Sequence, residues 1–123
     1  MITDILVADD DSEMREMFRD IHLAGACVYI VEDGMQLVNE AGRRAFNVIF
    51  SDYNMPGMHG PEAVRIIRHG GLNRNTPIIM MTGESGEGFE IAQREAQEAG
   101  VDEVIRKPFV FPTIRDLVAK YTA

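Results

Sequence analysis

Four polar positions stand at the C-terminal ends of apolar runs. Asp9–Asp10 follow Ile5-Leu6-Val7-Ala8, Asp52 follows Val48-Ile49-Phe50-Ser51, Thr82 follows Ile78-Ile79-Met80-Met81, and Lys107 follows Val104-Ile105-Arg106. Two carboxylates about 4 Å apart repel by about 1 kcal/mol in water and about 4 kcal/mol at an effective dielectric of 20. Gathering Asp9, Asp10 and Asp52 in one cleft is therefore unfavourable unless a cation joins them. Oxygen donors without a nearby His or Cys suit a hard ion such as Mg2+. A carboxylate beside such an ion can attack phosphorus, because the metal screens its charge. Asp52 is the candidate, since Tyr53-Asn54-Met55-Pro56-Gly57 imposes a turn after it rather than an immediate helix. Lys107 is one of two lysines beside ten arginines, and its compact charge suits a phosphoryl oxygen. Thr82 offers a hydroxyl to the same oxygens.

Each residue also has a plainer role. Asp10, Asp11 or Asp52 can cap a helix or stabilise a turn, Lys107 can snorkel from a strand end, and Thr82 suits a strand. For Asp11 alone, the cap is the better reading. A cap explains neither Asp9, still on its strand, nor Asp52 at the end of another.

These positions meet only if the apolar runs are neighbouring parallel strands, whose C-terminal ends share one edge of a sheet. The intervening segments have helical periodicity. Met14, Met17, Phe18 and Ile21 have i, i+3, i+4, i+7 spacing and predict a helix from Asp11 or Ser12 to about Ala24, closed by Gly25. Asp10 and Glu13 have the spacing of a capping box. Cys27–Val31 reads as strand two. Asp33-Gly34 turns into a helix carrying Leu37, Val38, Ala41 and Ala45, and Asn47–Ser51 is strand three. The loop Asp52–His59 leads to a helix from Gly60 to His69 that buries Ala63, Val64 and Ile67 and stops at Gly70-Gly71.

Pro77 opens strand four, and Gly83–Gly88 reads as a flexible loop without the Gly-Lys-Ser/Thr of a phosphate loop. The fourth helix turns Phe89, Ala92, Ala96 and Ala99 inward; its alanines predict weak packing. Its charge run Gln93-Arg94-Glu95-Ala96-Gln97-Glu98 reads as a solvated face. After Gly100, strand five (Glu103–Lys107) and Pro108 lead to a last helix carrying Ile114, Leu117, Val118 and Tyr121. Five β/α units predict an α/β fold, one doubly wound five-stranded parallel sheet with helices on both faces and no linker or repeat.

A chain of 123 residues fits one domain, 1–123, with an ordinary globular core. Its net charge of −8 argues against direct nucleic-acid binding, which needs a basic face. No apolar run reaches the roughly 18 residues of a membrane span, and the N-terminus lacks the pattern of a signal peptide. Cys27 is alone, so no internal disulfide can form; it reads as a small core residue in a reducing compartment. The expected location is the cytoplasm. His22, His59 and His69 lack ligand spacing and read as surface or helix-edge residues. The methionines read as core filling, with Met55 and Met58 the candidates for exposure.

Val7-Ala8-Asp9-Asp10-Asp11, Asp52 through Gly60, Met81-Thr82-Gly83-Glu84 and Lys107-Pro108-Phe109 together resemble the receiver domain of two-component response regulators, from Ile5 to about Val118. The resemblance implies strand order 2-1-3-4-5, a phosphoacceptor at Asp52, and Mg2+ held by Asp9, Asp10, Asp52 and the backbone carbonyl of Asn54. It implies that Thr82 and Lys107 bind phosphoryl oxygens and that the Lys107–Pro108 bond is cis. The implied donor is a histidine kinase or histidine phosphotransfer protein. The implied output is a downstream protein target or effector domain, reached through the loop after strand four and the face made by the fourth helix, fifth strand and last helix. Such a domain catalyses its own phosphorylation and dephosphorylation rather than turning over an external substrate. Val104 stands where the family often has an aromatic, which puts the usual aromatic readout in doubt. No effector domain follows Ala123, which suggests a stand-alone regulator or a receiver excised from a longer chain.

Rival readings fit less well. A flavodoxin-type binder needs hydroxyls and amides after strand one, where Asp9-Asp10-Asp11 would repel phosphate. An aspartyl phosphatase places its nucleophile after strand one in an Asp-x-Asp motif, which these three aspartates imitate only loosely. A receiver unable to accept phosphate would not need the complete acidic, Thr and Lys set.

Overall fold

The computed structural model describes residues 2–21 and 23–123. Elements alternate: β1 (Thr3–Ala8), α1 (Ser12–Arg19), β2 (Ala26–Val31), α2 (Gly34–Arg43), β3 (Val48–Asp52), α3 (Gly60–Arg68), β4 (Ile78–Thr82), α4 (Gly86–Ala99), β5 (Glu103–Arg106) and α5 (Phe111–Thr122). The five strands form one parallel sheet in the order β2-β1-β3-β4-β5. β3 and β4 are buried at every position because both faces of the sheet are covered there. The period of two divides the central strands between two cores. Leu6, Ala8, Ile49, Ile78 and Met80 face α2, α3 and α4, whereas Ile5, Val7, Val48, Phe50, Ile79 and Met81 face α1 and α5. On the second face Phe18 of α1 meets Phe50 with ring centroids 5.1 Å apart.

Several boundaries differ from the sequence reading for local reasons. α1 stops at Arg19, short of Ala24, with Asp20 as its C-cap. Ile21 is nevertheless buried, because the chain folds back through its N–H to the Phe18 carbonyl at 3.2 Å. The cap at the other end is Asp11, whose side chain accepts from Glu13 N, so the Asp10–Glu13 box does not form. α2 ends at Arg43; Ala45 is exposed, and Phe46 takes the core position instead. α4 begins at Gly86, absorbing half of the expected glycine loop. Cys27 is exposed rather than in the core, since β2 is an edge strand with one neighbour. Met55 is buried beneath the loop after β3, and Met58 packs partly against the same core. His22 lies outside the described residues.

A polar knot closes the sheet end opposite the aspartates. Asn73, 1% exposed, donates to the Ala41 and Arg44 carbonyls at 2.6 and 2.8 Å and accepts from Phe46 N at 2.8 Å. Arg68 donates to the carbonyls of Gly100 at 3.0 Å and Thr76 at 2.7 Å, and pairs with Asp102 at 3.0 Å. Buried polar groups are tolerated here because each finds a partner.

Candidate functional site

The register of the sheet brings the strand-end residues together. Ala8 pairs with Ser51, Asp52 with Met81 and Thr82 with Arg106. Asp9, Asp52, Thr82 and Lys107 are thus placed along one edge by residues distant in sequence. Asp9 is fully buried, and its Oδ1 accepts from Asp11 N at 2.9 Å. Lys107 Nζ sits 2.9 Å from Asp9 Oδ2 and 3.1 Å from Asp52 Oδ1. Its contact with Asp52 has hydrogen-bond geometry. Asp9 Oδ2 has no aligned donor despite the nearby ammonium, so a buried lone pair faces the cleft with charge compensation but no hydrogen bond. Thr82 is buried and its Oγ1 accepts from Glu84 N at 3.0 Å. The Lys107 N–H donates to the Thr82 carbonyl at 2.7 Å, and the Lys107–Pro108 peptide is cis.

Electrostatics follow from this crowding. Burial, and then the Asp9 charge, push the Asp52 carboxyl from its ordinary 3.8 up to about 7, against the opposing pull of Lys107. Burial pulls the Lys107 ammonium down, but Asp9 and Asp52 outweigh it and its pKa ends raised. The single Lys107 charge does not fully offset burial and the Asp9 charge, so the ionised form of Asp52 is disfavoured in the cleft.

Carboxylate oxygens of Asp9, Asp10 and Asp52 lie within 4.8 Å of one another. That donor set fits a hard divalent cation: it is all oxygen, it is electrostatically strained without one, and Asp9 Oδ2 is a buried acceptor that takes no hydrogen bond among the described residues. Asn54 lies in the loop directly after β3, its side chain 3.4 Å from Glu84 Oε1.

The loop carrying these groups is held by close approach. A Cβ on Gly60 would lie 2.3 Å from the Asp52 carbonyl oxygen, and one on Gly34 would lie 2.5 Å from that of Met58. Only glycine admits these contacts. Gly60 N–H instead donates to the Tyr53 carbonyl at 3.0 Å. Tyr53 itself is buried, and its phenol, pushed up to about 12 by burial and then by its bond to Glu95, keeps its proton at neutral pH and donates it in a hydrogen bond. Glu95 escaped the sequence reading because it lies inside a charged run; the only signal was the aromatic beside Asp52, which needs a polar partner when buried. Val104 is half-buried at a groove of about 460 Å³ between α4 and β5, bordered by Glu90, Arg94 and Val101.

A five-stranded sheet in this order, with an acidic pocket and a lysine at its carboxyl edge, defines a class. The response regulator receiver domain profile matches residues 5–119, and the chain belongs to that family of signalling domains. It is 30% identical over 122 residues to the response regulator protein FleR of Pseudomonas aeruginosa, spanning 98% of this chain but only 25% of FleR. Chemotaxis response regulator CheY4 of Vibrio cholerae superimposes with a TM-score of 0.85 at 30% identity, covering 98% of this chain and 99% of its own. The receiver domain of sensor histidine kinase PA1611 from Pseudomonas aeruginosa, which has a magnesium ion coordinated in its active-site cleft, gives a TM-score of 0.84 at 26% identity, covering 99% and 98%. No helix among the described residues is long and apolar enough to cross a membrane.

Proposed function

We propose that this chain is one phosphoryl-accepting receiver unit, 1–123, acting in the cytoplasm, with Asp52 as the acceptor. The observation that carries the reading is the shared contact of Lys107 Nζ with Asp9 and Asp52 at 2.9 and 3.1 Å. A buried carboxylate beside a fixed ammonium and two further carboxylates is arranged for charge to arrive and be neutralised. In the transfer, an Asp52 carboxylate oxygen forms a bond to the phosphorus of a partner's phosphohistidine. The P–N bond breaks and its electrons return to the imidazole, which takes a proton. Asp9, Asp10, Asp52 and the Asn54 carbonyl are the residues that would hold Mg2+. A divalent ion held there would offset the charge of the carboxylates and of the incoming phosphoryl group.

Lys107 offsets negative charge on the incoming oxygens, and the Thr82 hydroxyl donates to them. Hydrolysis of the acyl phosphate then resets the domain. The donor is a histidine kinase or histidine phosphotransfer protein. The output is a downstream protein target or effector domain engaged through the β4–α4 loop and the α4-β5-α5 face. With Val104 in place of an aromatic, that readout is carried by displacement of loop and helix. The partners are proteins; the acidic surface does not suit direct nucleic-acid contact.

The test is intact mass after incubation with acetyl phosphate, with and without Mg2+. The parent should gain one phosphoryl group only when Mg2+ is present, and Asp52→Asn should gain none. Equal labelling of the Asn variant would remove Asp52 from the role.

A further inference from the structure

Glu95 sits on α4 within a run of charged residues, yet its carboxylate points at the segment that follows Asp52. Its Oε1 accepts from the Tyr53 hydroxyl at 2.6 Å, and its Oε2 stands 3.5 Å from His59 Nε2. The Tyr53 and His59 rings meet edge to face, 4.5 Å between centroids and 68° between planes. One carboxylate therefore reaches both ends of the acceptor loop, the residue directly after Asp52 and the N-cap of α3.

Tyr53 has little freedom to absorb a displacement. Its N–H donates to the Met81 carbonyl at 2.8 Å and its carbonyl accepts from Gly60 N at 3.0 Å. α4 meets the core through Ala92, Ala96 and Ala99, side chains too short to fix a helix by interdigitation. Among the described residues, Glu95 is the α4 side chain that hydrogen-bonds outside its own helix. A short bond to an ionised acceptor is directional and strong where apolar packing is shallow.

We propose that Glu95 is a positioning residue of the switch, holding α4 in register with the acceptor segment through Tyr53 and His59. Loading Asp52 alters α4 by altering this clasp. The inference rests on Asp52 being the acceptor and deepens that reading by naming the route from the acceptor to the helix.

The experiment is amide hydrogen exchange across α4, with the Tyr53 ring resonances followed by NMR, with and without beryllofluoride and Mg2+. It compares the parent with Glu95→Ala, Glu95→Gln, Tyr53→Phe and the Tyr53→Phe/Glu95→Ala double variant. Glu95→Ala and Tyr53→Phe should each cut the beryllofluoride-induced change in α4 exchange by about fivefold. The double variant should lose no more than either single one. Glu95→Gln keeps an oxygen for the Tyr53 hydroxyl and should recover most of the parental response, which a merely structural contribution from helix packing would not predict. Parent-like responses in both Glu95→Ala and Tyr53→Phe overturn the inference, as does equal impairment of the Ala and Gln variants. Beryllofluoride binding with no effect of Glu95 refutes the clasp alone. Absence of binding by the parent refutes the reading of Asp52 and the clasp with it.

Discussion

Removing the charge of Asp52 should change how stability depends on pH, by an amount the site geometry sets. In the folded protein the carboxyl titrates near 7, against an ordinary 3.8. Because the folded value is raised, the contribution to stability is fully present below about pH 4 and is lost as pH rises through about 7. The full span of about three units is worth about 4 kcal/mol. Between pH 5 and pH 8 the loss amounts to about 2.6 kcal/mol. Asp52→Asn keeps the size of the side chain, removes the titration and leaves Lys107 paired with Asp9. Its stability relative to the parent should therefore rise by about 2–3 kcal/mol from pH 5 to pH 8. The assay is urea unfolding of both proteins in chelator across that range, where a slope of about 1.5 kcal/mol/M makes the expected change roughly 1.5–2 M in midpoint. Saturating Mg2+ should flatten the parental curve and leave that of the Asn variant nearly unchanged. Parallel pH curves for the two proteins in chelator would refute the claim that Asp52 is held against its preferred charge state.

Two further outcomes follow from the same geometry. Mg2+ should stabilise the parent by about 2.7 kcal/mol at a hundredfold excess over its dissociation constant, and Asp10→Ala should abolish most of that gain in a thermal melt; an unchanged shift would remove Asp10 from the metal site. Asn73→Ala should cost about 3 kcal/mol in urea unfolding, because it strands Phe46 N–H and the Ala41 and Arg44 carbonyls in a buried setting; a cost under about 1 kcal/mol would show that water replaces them.

The strands and the acidic edge were legible because runs such as Ile78-Ile79-Met80-Met81 are buried on both faces and leave no competing period. Their polar end residues therefore stood out. Helix ends were harder. Ile21 continues the spacing of α1 and is buried, yet it lies past the C-cap, so apolar period alone could not distinguish a helix from a chain folding back on its last turn. Cys27 looked like core because it heads an unbroken apolar run, Cys27–Val31, in which no polar alternation marks the position that faces solvent. Asn73 and Glu95 were invisible for a different reason. Each is a polar residue whose partners come from other elements, 27 and 42 residues away, and no local pattern marks such a pairing.

The two ends of α4 are held unequally, and this makes the helix a lever. At its C-terminus, Gly100 adopts a left-handed conformation with φ 98, and its N–H bonds to the carbonyls of Ala96 and Gln97. The carbonyl of the same glycine accepts from Arg68, which is itself tied to Thr76 and Asp102. The other end has no side-chain cap bond from Ser85 and begins with Gly86-Glu87-Gly88. Fourteen residues span about 20 Å at 1.5 Å per residue, and Glu95 lies about 6 Å from the fulcrum at Ala99. A tilt that moves Glu95 by about 1 Å carries Gly86 through about 3 Å by proportion along the axis. The arm is therefore longest where α4 adjoins Thr82, so in the proposed switch a small shift at Glu95 would be largest at Gly86, the end of the helix nearest the β4 edge.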